Sequence, residues 1–510
     1  MKILFSVSHF GFLRNFEPAL RSLAARGHRI HLLADRKDNL GGTKTIDNLT
    51  AAVPGAITFG YAPTRKDDPF HILAIKVRLC LDYWRYLEPR YDLARSLRAR
   101  GAQQAPPLAS RLAALPLLRT RAGLRVLCAV FRRIERALPV GDVPLRVLRE
   151  HEPDLLLVTP LLYFGSPQVD YVRAARSLGI PTLHGVGSWD HLTTKGVIHE
   201  VADRMTVWND AQRQEAWDIH GVPPERVAVT GAQAYDHWFV TRPSTTREAF
   251  CARVGVRADR PVILYLCSSP FITPYEVGFV RTWIEAVRGS ADPALREAGL
   301  LIRPHPQNAE QWRDVDLSGD PNVGIWPRAG ANPVDADARA EYFDSMYHAV
   351  AVVGVNTSAQ IESGIVGRPV CAIQTDDFAS TQEGTLHFQH LKNVNGGLLH
   401  LAPTLPEHLD QLSRILADPL EYARRSRVFI EAFVRPHGLD TPAAEHFVRV
   451  VEEVAATRPA PARPRGIGDR LLAWALVPVA RGVQAAAARQ KADKKRRDRE
   501  AAAGAGAVRG

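Results

Sequence analysis

The sequence predicts an α/β protein made of two domains, each a parallel β-sheet covered by helices, that face each other across a cleft. Two observations lead to this fold class. Short apolar runs rich in β-branched residues, such as residues 349–355, are typical of strands buried on both faces of a parallel sheet, and they alternate with helical patterns. The chain of 510 residues is also too long for one hydrophobic core, so two domains are expected.

The first domain is predicted to span residues 1–240 and opens with a β-α-β unit. Residues 2–7 and 29–34 have the pattern of strands, and residues 15–26 that of the helix between them. The loop that joins the first strand to this helix contains His9, at the edge where open α/β sheets bind their ligands. His9 is therefore a candidate base, although an ordinary polar loop residue would fit the same position.

Residues 70–149 interrupt the alternation and are predicted to form a helical, arginine-rich insertion. Between Leu108 and Val140 there are seven Arg and one Glu, interleaved with apolar residues. A cationic amphipathic helix of this kind can lie on an anionic membrane surface. It can equally pack its apolar face on the first domain and leave its arginines in water, so both interpretations stay open.

The alternation resumes at Asp154 and completes the first domain. Residues 155–158, 180–183, 205–208 and 227–230 are predicted strands, with a helix at residues 210–220. The strand at residues 180–183 places His184 at its carboxyl end, on the edge that would face the cleft.

The second domain is predicted to span residues 241–456, and three polar clusters follow its strands. Its strands are expected at residues 261–266, 299–302, 323–326, 349–355, 369–373 and 397–401. Hydroxyl groups, backbone N–H groups and an arginine at one sheet edge favour the binding of phosphate. The clusters are Ser268 with Ser269, Arg303 with His305, and Asn356 with Thr357 and Ser358. Together they predict a nucleotide diphosphate bound between the two domains.

A helix is predicted to begin at Thr357, because Gln360 three residues later completes a capping-box pattern. Its amino end would point unpaired N–H groups at the cleft. Glu362, one and a half turns further on, could accept hydrogen bonds from a ribose. Taken alone, the same stretch also fits an ordinary β-α-β unit with a capped helix.

No metal and no cofactor are expected. The two Asp-X-Asp patterns, at residues 314–316 and 335–337, lie in loop sequence and are interpreted as solvated acids. Charge on a leaving diphosphate would then be neutralised by Arg303, His305 and the helix start at Thr357, which predicts metal-independent catalysis.

Residues 457–510 form a basic tail that is expected to be partly disordered or amphipathic. They supply +9 of the net charge of +11, so nucleic-acid binding is not expected of the rest of the chain. The apolar run at residues 471–480 and the basic run at residues 491–499 could adsorb to an anionic membrane; a tail without a partner is the alternative. Five scattered Cys, the lack of a signal-peptide pattern and the absence of an apolar run of about 20 residues predict a cytoplasmic protein, peripheral on the inner face of the plasma membrane.

Four segments of the chain form a distinctive set: TVWNDAQRQEAWDIHGVPPERVAVTGAQAYD at 206–236, LHG at 183–185, RPHP at 303–306 and NTSAQIESGIVGRPV at 356–370. These segments resemble the CDP-glycerol glycerophosphotransferases and related surface-polysaccharide transferases. The resemblance implies a GT-B fold of two Rossmann-like domains, the class that also includes UDP-N-acetylglucosamine 2-epimerases. It further implies that His184 and His305 are catalytic or bind the donor phosphate, and that Thr357 and Ser358 contact the diphosphate.

The main hypothesis is a transferase that moves a sugar or a glycerol phosphate from a nucleotide-diphosphate donor to a hydroxyl of a surface glycan or lipid-linked precursor. His184, or otherwise His9, would accept the proton of that hydroxyl, while His305 and Arg303 would stabilise the leaving phosphate. Two alternatives remain: a nucleotide-sugar 2-epimerase of the same fold, and a non-catalytic scaffold associated with the membrane.

Overall fold

The computed structural model of the protein describes residues 1–37, 41–65, 68–333 and 335–507. The described chain contains two parallel sheets, of seven and six strands. The strands of the first sheet are β1 Lys2–Val7, β2 Arg29–Ala34, β3 Ile57–Tyr61, β4 Leu155–Thr159, β5 Thr182–Gly185, β6 Arg204–Val207 and β7 Val227–Val229. Those of the second are β8 Val262–Leu266, β9 Gly299–Arg303, β10 Val323–Ile325, β11 Ala351–Gly354, β12 Val370–Ile373 and β13 Leu399–Ala402.

The helices cover both faces of each sheet and form the insertion and the tail. Those of the first half are α1 Glu17–Ala25, α2 Gly42–Ala52, α3 Pro69–Arg85, α4 Arg95–Gln104, α5 Pro107–Ala114, α6 Arg121–Ala137, α7 Asp142–His151, α8 Gln168–Leu178, α9 His191–Thr194, α10 Asp210–His220 and α11 Asp236–Val240. Those of the second half are α12 Arg247–Val254, α13 Val277–Arg288, α14 Pro293–Arg296, α15 Ala336–Tyr347, α16 Ala359–Ile365, α17 Phe388–Asn393, α18 Leu405–Ala417, α19 Pro419–Phe433, α20 Ala443–Ala455, α21 Ile467–Ala475 and α22 Val477–Ala507.

Both sheets have the doubly wound order that creates a ligand crevice. The strand order is β3-β2-β1-β4-β5-β6-β7 in the first sheet and β10-β9-β8-β11-β12-β13 in the second. The direction of winding therefore reverses between β1 and β4, and again between β8 and β11. In open α/β sheets, ligands bind outside the carboxyl ends of the strands at such a reversal. Two Rossmann-like domains, as predicted from the sequence, are thus observed.

Strand β3 is absent from the sequence prediction. It pairs only with β2 and forms the edge of the first sheet, where Phe59 and Tyr61 remain 50% and 44% exposed. An edge strand with one solvated face lacks the continuous apolar run by which the central strands are detected. Its place is set by backbone pairing with β2, which a sequence pattern does not display.

The insertion between β3 and β4 is anchored by a buried charge network. Arg78 of α3 is fully buried, and its Nε lies 2.7 Å from Glu135 Oε1 while its Nη2 lies 2.5 Å from Asp170 Oδ1. Its Nη1 donates to the carbonyl of Ser166 at 2.9 Å. Because Asp170 belongs to α8 of the first domain, these bonds fix the insertion to the sheet.

Helix α20 returns the chain to the first domain. Its apolar side chains pack in the core formed by β1 and α1, and Phe447 contacts the ring of Phe16 with centroids 5.6 Å apart. Asp236 caps this helix by accepting hydrogen bonds from the backbone N–H groups of Ala443 and Ala444, at 2.9 and 2.7 Å. The sequence prediction grouped residues 443–455 with the second domain, whereas the structure places their side chains in the core of the first.

The tail is helical and packs on the insertion. Leu476, Ala480 and Val483 join the hydrophobic cluster formed by α3 and α6. No single helix within the described ranges is long and apolar enough to cross a membrane. Only as a pair, bent by 44° at the break, do residues 467–475 and 477–494 satisfy that criterion of length and composition.

Candidate functional site

The carboxyl ends of the two sheets face a common cleft, and side chains from both domains bridge its rim. Arg339 Nη2 of α15 donates to Glu17 Oε2 of α1 at 3.3 Å. Lys44 Nζ of α2 lies 3.0 Å from Asp335 Oδ2, whose other oxygen caps α15 through the N–H of Ala338. Asp335, the first acid of one Asp-X-Asp pattern, is therefore used for capping and for an ion pair between the domains.

Glu362 lies in α16 on the donor-domain side of the cleft and has an unusual protonation equilibrium. Burial raises the pKa of its carboxyl to about 7, although the hydroxyl of Tyr342 donates to Oε2 at 2.5 Å and the positive charges of Arg14 and Arg303 oppose the shift. A carboxyl held near its midpoint at neutral pH is typical of a functional site rather than of a structural ion pair. The predicted ribose contact of Glu362 stays a prediction, with this raised pKa as its support.

Arg303, at the end of β9, is built into the wall of the cleft. Its side chain is 96% buried; Nη1 donates to Ser345 Oγ at 2.8 Å and lies 3.7 Å from Glu341 Oε1. The guanidinium also stacks over the ring of Tyr342, 4.9 Å from its centroid. Nη2 is buried and has no hydrogen-bond partner among the described residues. Burial lowers the pKa of Arg303, whose guanidinium is enclosed by the protein.

His305 follows β9 and is half-buried. Its Nδ1 accepts a hydrogen bond from the backbone N–H of Gln307 at 3.1 Å. Burial, together with the charge of Arg14, lowers the pKa of His305, so the ring is neutral at pH 7. A neutral imidazole that accepts at Nδ1 carries its proton on Nε2. His305 is therefore suited to donate a hydrogen bond to an anion, as the prediction of a phosphate contact requires.

Two of the predicted donor-binding residues, Ser268 and Asn356, are buried and bonded to neighbouring loops. Ser268 is fully buried, with its N–H donating to Glu276 Oε2 at 2.8 Å and its carbonyl accepting from Asn308. Asn356 is buried and donates through Nδ2 to the carbonyl of Thr381 at 2.6 Å. The backbone of Ser268 and the side-chain amide of Asn356 thus tie two strand ends to neighbouring loops. Their contact with the donor stays a prediction.

The remaining predicted donor residues lie nearer the surface. Ser358 is exposed, and Ser269 and Thr357 are half-buried. Thr357 Oγ1 accepts from the N–H of Ala359 at 3.4 Å, and Gln360 Oε1 accepts from the N–H of Thr357 at 3.3 Å. Of the two reciprocal bonds of the predicted capping box, the one from the N–H of Thr357 to Gln360 is present, whereas Thr357 Oγ1 accepts from Ala359 and not from Gln360. The regular helix begins at Ala359 with Ser358 as its N-cap residue, two residues later than predicted.

Both candidate bases of the first domain are buried; His184 lies in β5, at the strand end where it was predicted, and His9 lies in the predicted loop after β1. His184 is 1% exposed, and its Nε2 donates to the carbonyl of Pro160 at 2.9 Å. Burial lowers the pKa of His184 to about 4. His9 is also buried, with its ring 4.5 Å from that of Phe12. The rings of His9 and His184 are therefore enclosed at the edge of the first sheet and not solvated. The ring of His184 is also neutral at pH 7.

A further acidic and basic cluster, which the sequence analysis did not single out, follows β5. Asp190 accepts hydrogen bonds from Ser188 Oγ at 2.5 Å and Thr194 Oγ1 at 2.9 Å. Burial tends to raise the pKa of Asp190, but Lys195 and the neighbouring His191 and His387 outweigh this effect and hold that pKa well below its usual range. His387 comes from the second domain, so this cluster joins the domains below the cleft. Its sequence signal was the polar segment WDHLTTK that follows His184.

Arg14 is the residue of the site that sequence reasoning missed. It is exposed, in the 3-10 helix Phe10–Asn15 that follows β1, and has no ion-pair partner within 4 Å in the part of the chain that the structure describes. Its charge nevertheless acts on groups of both domains, which are Glu362, His305, His191 and Tyr235. An unpaired cation so placed is suited to bind an anionic ligand in the cleft. The available signal was its position in the same loop as His9.

Within residues 1–37, 41–65, 68–333 and 335–507, no group of three or more His, Cys, Asp and Glu side chains is arranged to hold a metal ion. Asp314 and Asp316 lie in a loop, and Asp316 accepts a hydrogen bond from the N–H of Ser318. Metal-independent chemistry remains a prediction.

Solved structures with the same two-domain architecture include enzymes of two classes. A glycosyltransferase from Rickettsia africae has a TM-score of 0.50 at 10% identity, over 90% of this chain and 99% of that chain. A UDP-GlcNAc 2-epimerase from Methanocaldococcus jannaschii has a TM-score of 0.49 at 12% identity, over 89% and 100%. Anabaena HepE, solved in complex with UDP, has a TM-score of 0.49 at 10% identity, over 89% and 100%.

No protein-family model matches the sequence, and no curated protein is significantly similar to it. At these low identities the likeness shows the fold, two Rossmann-like domains of the GT-B type, and confirms the predicted fold class. The similarity to these solved structures does not confirm the narrower resemblance to CDP-glycerol glycerophosphotransferases.

Proposed function

We propose that the protein is a transferase that binds a nucleotide-diphosphate donor in the cleft and passes a sugar or a glycerol phosphate to an acceptor hydroxyl. The observation that carries this proposal is the position of Arg14. It is an exposed cation without an ion-pair partner among the described residues, and its charge reaches Glu362 and His305 of the opposite domain. A diphosphate is the ligand whose charge this arrangement would complement.

The donor would be held by groups of both domains. The carboxylate of Glu362 would accept hydrogen bonds from ribose hydroxyls. Arg14, the Nε2–H of His305 and the exposed hydroxyl of Ser358 would contact the phosphates. Arg303, enclosed by α15, would act mainly by holding Tyr342 and adding positive potential to this wall. Binding the diphosphate from two domains would also favour closure of the cleft around the donor.

The transfer needs a base for the acceptor hydroxyl and charge neutralisation for the leaving phosphate. His9 and His184 are the candidate bases in the acceptor domain, and because burial keeps His184 neutral, its unprotonated form is available at pH 7. Arg14 and His305 would stabilise the negative charge that develops on the leaving group, which makes a divalent metal unnecessary. The acceptor would be a hydroxyl of a surface glycan or of a lipid-linked precursor.

The test is calorimetric titration of purified protein with UDP, CDP, GDP, CMP and CDP-glycerol, with and without EDTA. At least one nucleotide should bind equally well in EDTA. Arg14→Ala should weaken that binding about tenfold or more, because a cation about 4 Å from a phosphate is worth ~1 kcal/mol in water and ~4 kcal/mol at an effective dielectric of 20. Arg253→Ala, an exposed arginine at the end of α12, is the matched control and should leave the affinity unchanged.

The outcome separates the hypotheses. Loss of binding in both variants would assign the effect to net charge and not to the cleft. Absence of binding by every nucleotide would contradict the proposal and leave a non-catalytic scaffold. When a donor binds, incubation of its sugar form without an acceptor distinguishes a 2-epimerase, which converts the nucleotide sugar itself, from a transferase, which leaves its stereochemistry unchanged.

A further inference from the structure

The insertion and the tail, more than 300 residues apart in sequence, form one structural unit. We call it the helical lobe and define it as α3, α4, α5, α6, α21 and α22. Arg133 of α6 forms an ion pair with Asp469 of α21, and Arg465 Nη1 donates to the carbonyl of Ala137 at 2.9 Å. The side chains of α22 pack with those of α3 and α6 in one hydrophobic cluster. The tail helices are therefore held against the insertion, and the side chains they expose belong to a folded surface.

Helix α21 is apolar on two opposite faces. Ala473 on its inner face is buried, and Leu476, directly after the helix, packs in the hydrophobic cluster of α3 and α6. Ile467, Leu471 and Trp474, at spacings of four and three residues, share the outer face and are 78%, 62% and 76% exposed. We call these three residues the outer stripe. The lobe covers the inner face, whereas the outer stripe is an apolar patch exposed to solvent, and such patches mark interaction sites.

Helix α6 has an exposed apolar face of its own. Val126, Val130 and Arg133 follow one another on a single face of α6, and Arg133 is the residue that contacts α21. Val126 and Val130 are 59% and 49% exposed. Helices α6 and α21, which the ion pair between Arg133 and Asp469 joins, therefore each present exposed apolar side chains to solvent.

Positive charge is concentrated around this surface. Residues 108–140 carry +6 and residues 457–510 carry +9, so the rest of the chain has a net charge of −4. Arg125, Arg132, Arg470 and Arg481 are all exposed near or beside the apolar residues. Apolar side chains that include a Trp, ringed by arginines, match the interface of an anionic bilayer, where rings enter the headgroup region and cations pair with phosphates.

We propose that the helical lobe docks the protein on an anionic lipid bilayer, with the outer stripe inserted at the level of the headgroups. Helix α21, with nine residues, would lie in the interface and not cross it. A second copy of the chain is a poorer occupant because it would bring the same positive charge to the same place. If the proposed transferase function holds, the lobe would keep the acceptor-domain side of the cleft next to lipid-linked acceptors on the cytoplasmic leaflet.

The test is flotation of the full-length protein with phosphatidylcholine vesicles that contain or lack phosphatidylglycerol, at low and high salt. The wild-type protein should float with the anionic vesicles at low salt and much less with neutral vesicles or at high salt. The double variant Leu471→Glu/Trp474→Glu should bind at least tenfold more weakly. The matched control, Tyr275→Glu/Leu420→Glu, changes residues that are 90% and 80% exposed on the second domain and should bind like wild type.

A second measurement locates the contact. Lipids brominated near the headgroup should quench the fluorescence of Trp474, and Trp474→Phe should remove most of that quenching while vesicle binding persists. The proposal is overturned if wild type fails to bind anionic vesicles, if neutral vesicles bind as well, or if the Leu471→Glu/Trp474→Glu variant binds normally. It is also overturned if light scattering shows that the outer stripe forms a dimer that does not bind vesicles. Nucleotide titration of the same double variant should be unchanged, so failure of this proposal is distinguishable from failure of the proposed function.

Discussion

Replacing Glu362 by Gln should make the protein more stable at pH 8 and, at the same time, poorer at binding its nucleotide. Burial raises the pKa of Glu362 from its ordinary value of 4.5 to about 7. Between these two pH values the folded protein holds a proton that the unfolded chain has released. The carboxyl therefore destabilises the fold progressively as the pH rises through this window, and the cost is constant above it.

The size of the effect follows from the two pKa values. The cost of the ionised carboxyl is about 0.4 kcal/mol at pH 4.5 and about 3 kcal/mol at pH 8, since each factor of ten in proton affinity is worth about 1.4 kcal/mol. A neutral Gln avoids this cost and can still accept from the hydroxyl of Tyr342. Ribose hydroxyls, however, lose a charged acceptor worth about 1.5–3 kcal/mol, so the nucleotide Kd should rise about 10-fold or more.

The assay is scanning calorimetry of wild type and Glu362→Gln from pH 4.5 to 8, with nucleotide titration at pH 8. The variant should melt several degrees higher at pH 8, and the difference should nearly vanish at pH 4.5. Glu383→Gln is a control with the opposite expected sign. Burial tends to raise the pKa of Glu383, but hydrogen bonds from Lys392, Gln389 and Gln374 outweigh it and lower that pKa, so this variant should lose stability at pH 8. A pH-independent difference for Glu362→Gln would refute the burial argument, and an unchanged Kd would refute the ribose contact.

Two further predictions concern the fold. His199 lies 3.0 Å from Asp82 Oδ1 and 3.3 Å from Glu135 Oε2; although burial opposes it, these carboxylates raise its pKa to about 9. The stabilisation that protonated His199 gives the fold is complete below about pH 6.5 and is lost as the pH rises through 9. The urea midpoint of unfolding should therefore fall between pH 7 and 10, and the fall should be smaller in His199→Gln. An added Cβ at Gly324 would collide with the carbonyl of Val254, so Gly324→Ala should cost about 1–3 kcal/mol of unfolding free energy by urea titration. Gly319→Ala, where the new methyl meets open space, should be near neutral; equal effects would contradict the steric reason.

Local patterns were sufficient for most of the central strands and for many helix ends. Strand β8 could be predicted because five consecutive apolar side chains suit only a position with both faces covered. The bounds of α10 could be predicted because its ends are set locally. Asn209 caps the helix by accepting from the N–H of Gln212 at 3.0 Å, and Gly221 ends it in the left-handed conformation at φ 66°.

The same patterns could not assign elements to their neighbours. The apolar side chains of α20 predict a helix that covers a sheet, but they do not say which sheet. Packing against Phe16 and capping by Asp236, more than 200 residues away, decide that it covers the first. Edge strand β3 escaped detection because its stability comes from pairing with β2 and not from the apolar content of its own side chains.

By itself, the sequence determined that two parallel-sheet domains form and that polar residues gather at their carboxyl edges, because strand periodicity and burial are properties of neighbouring residues. Only the tertiary structure decided which of those polar residues face the cleft. The backbone N–H of Ser268 and the amide of Asn356 bond to neighbouring loops, whereas the exposed Arg14 acts through its charge on Glu362, some 350 positions away in the chain. Side-chain direction at a strand end depends on partners contributed by distant segments, and the distances and charges between those segments exist only once the chain has folded.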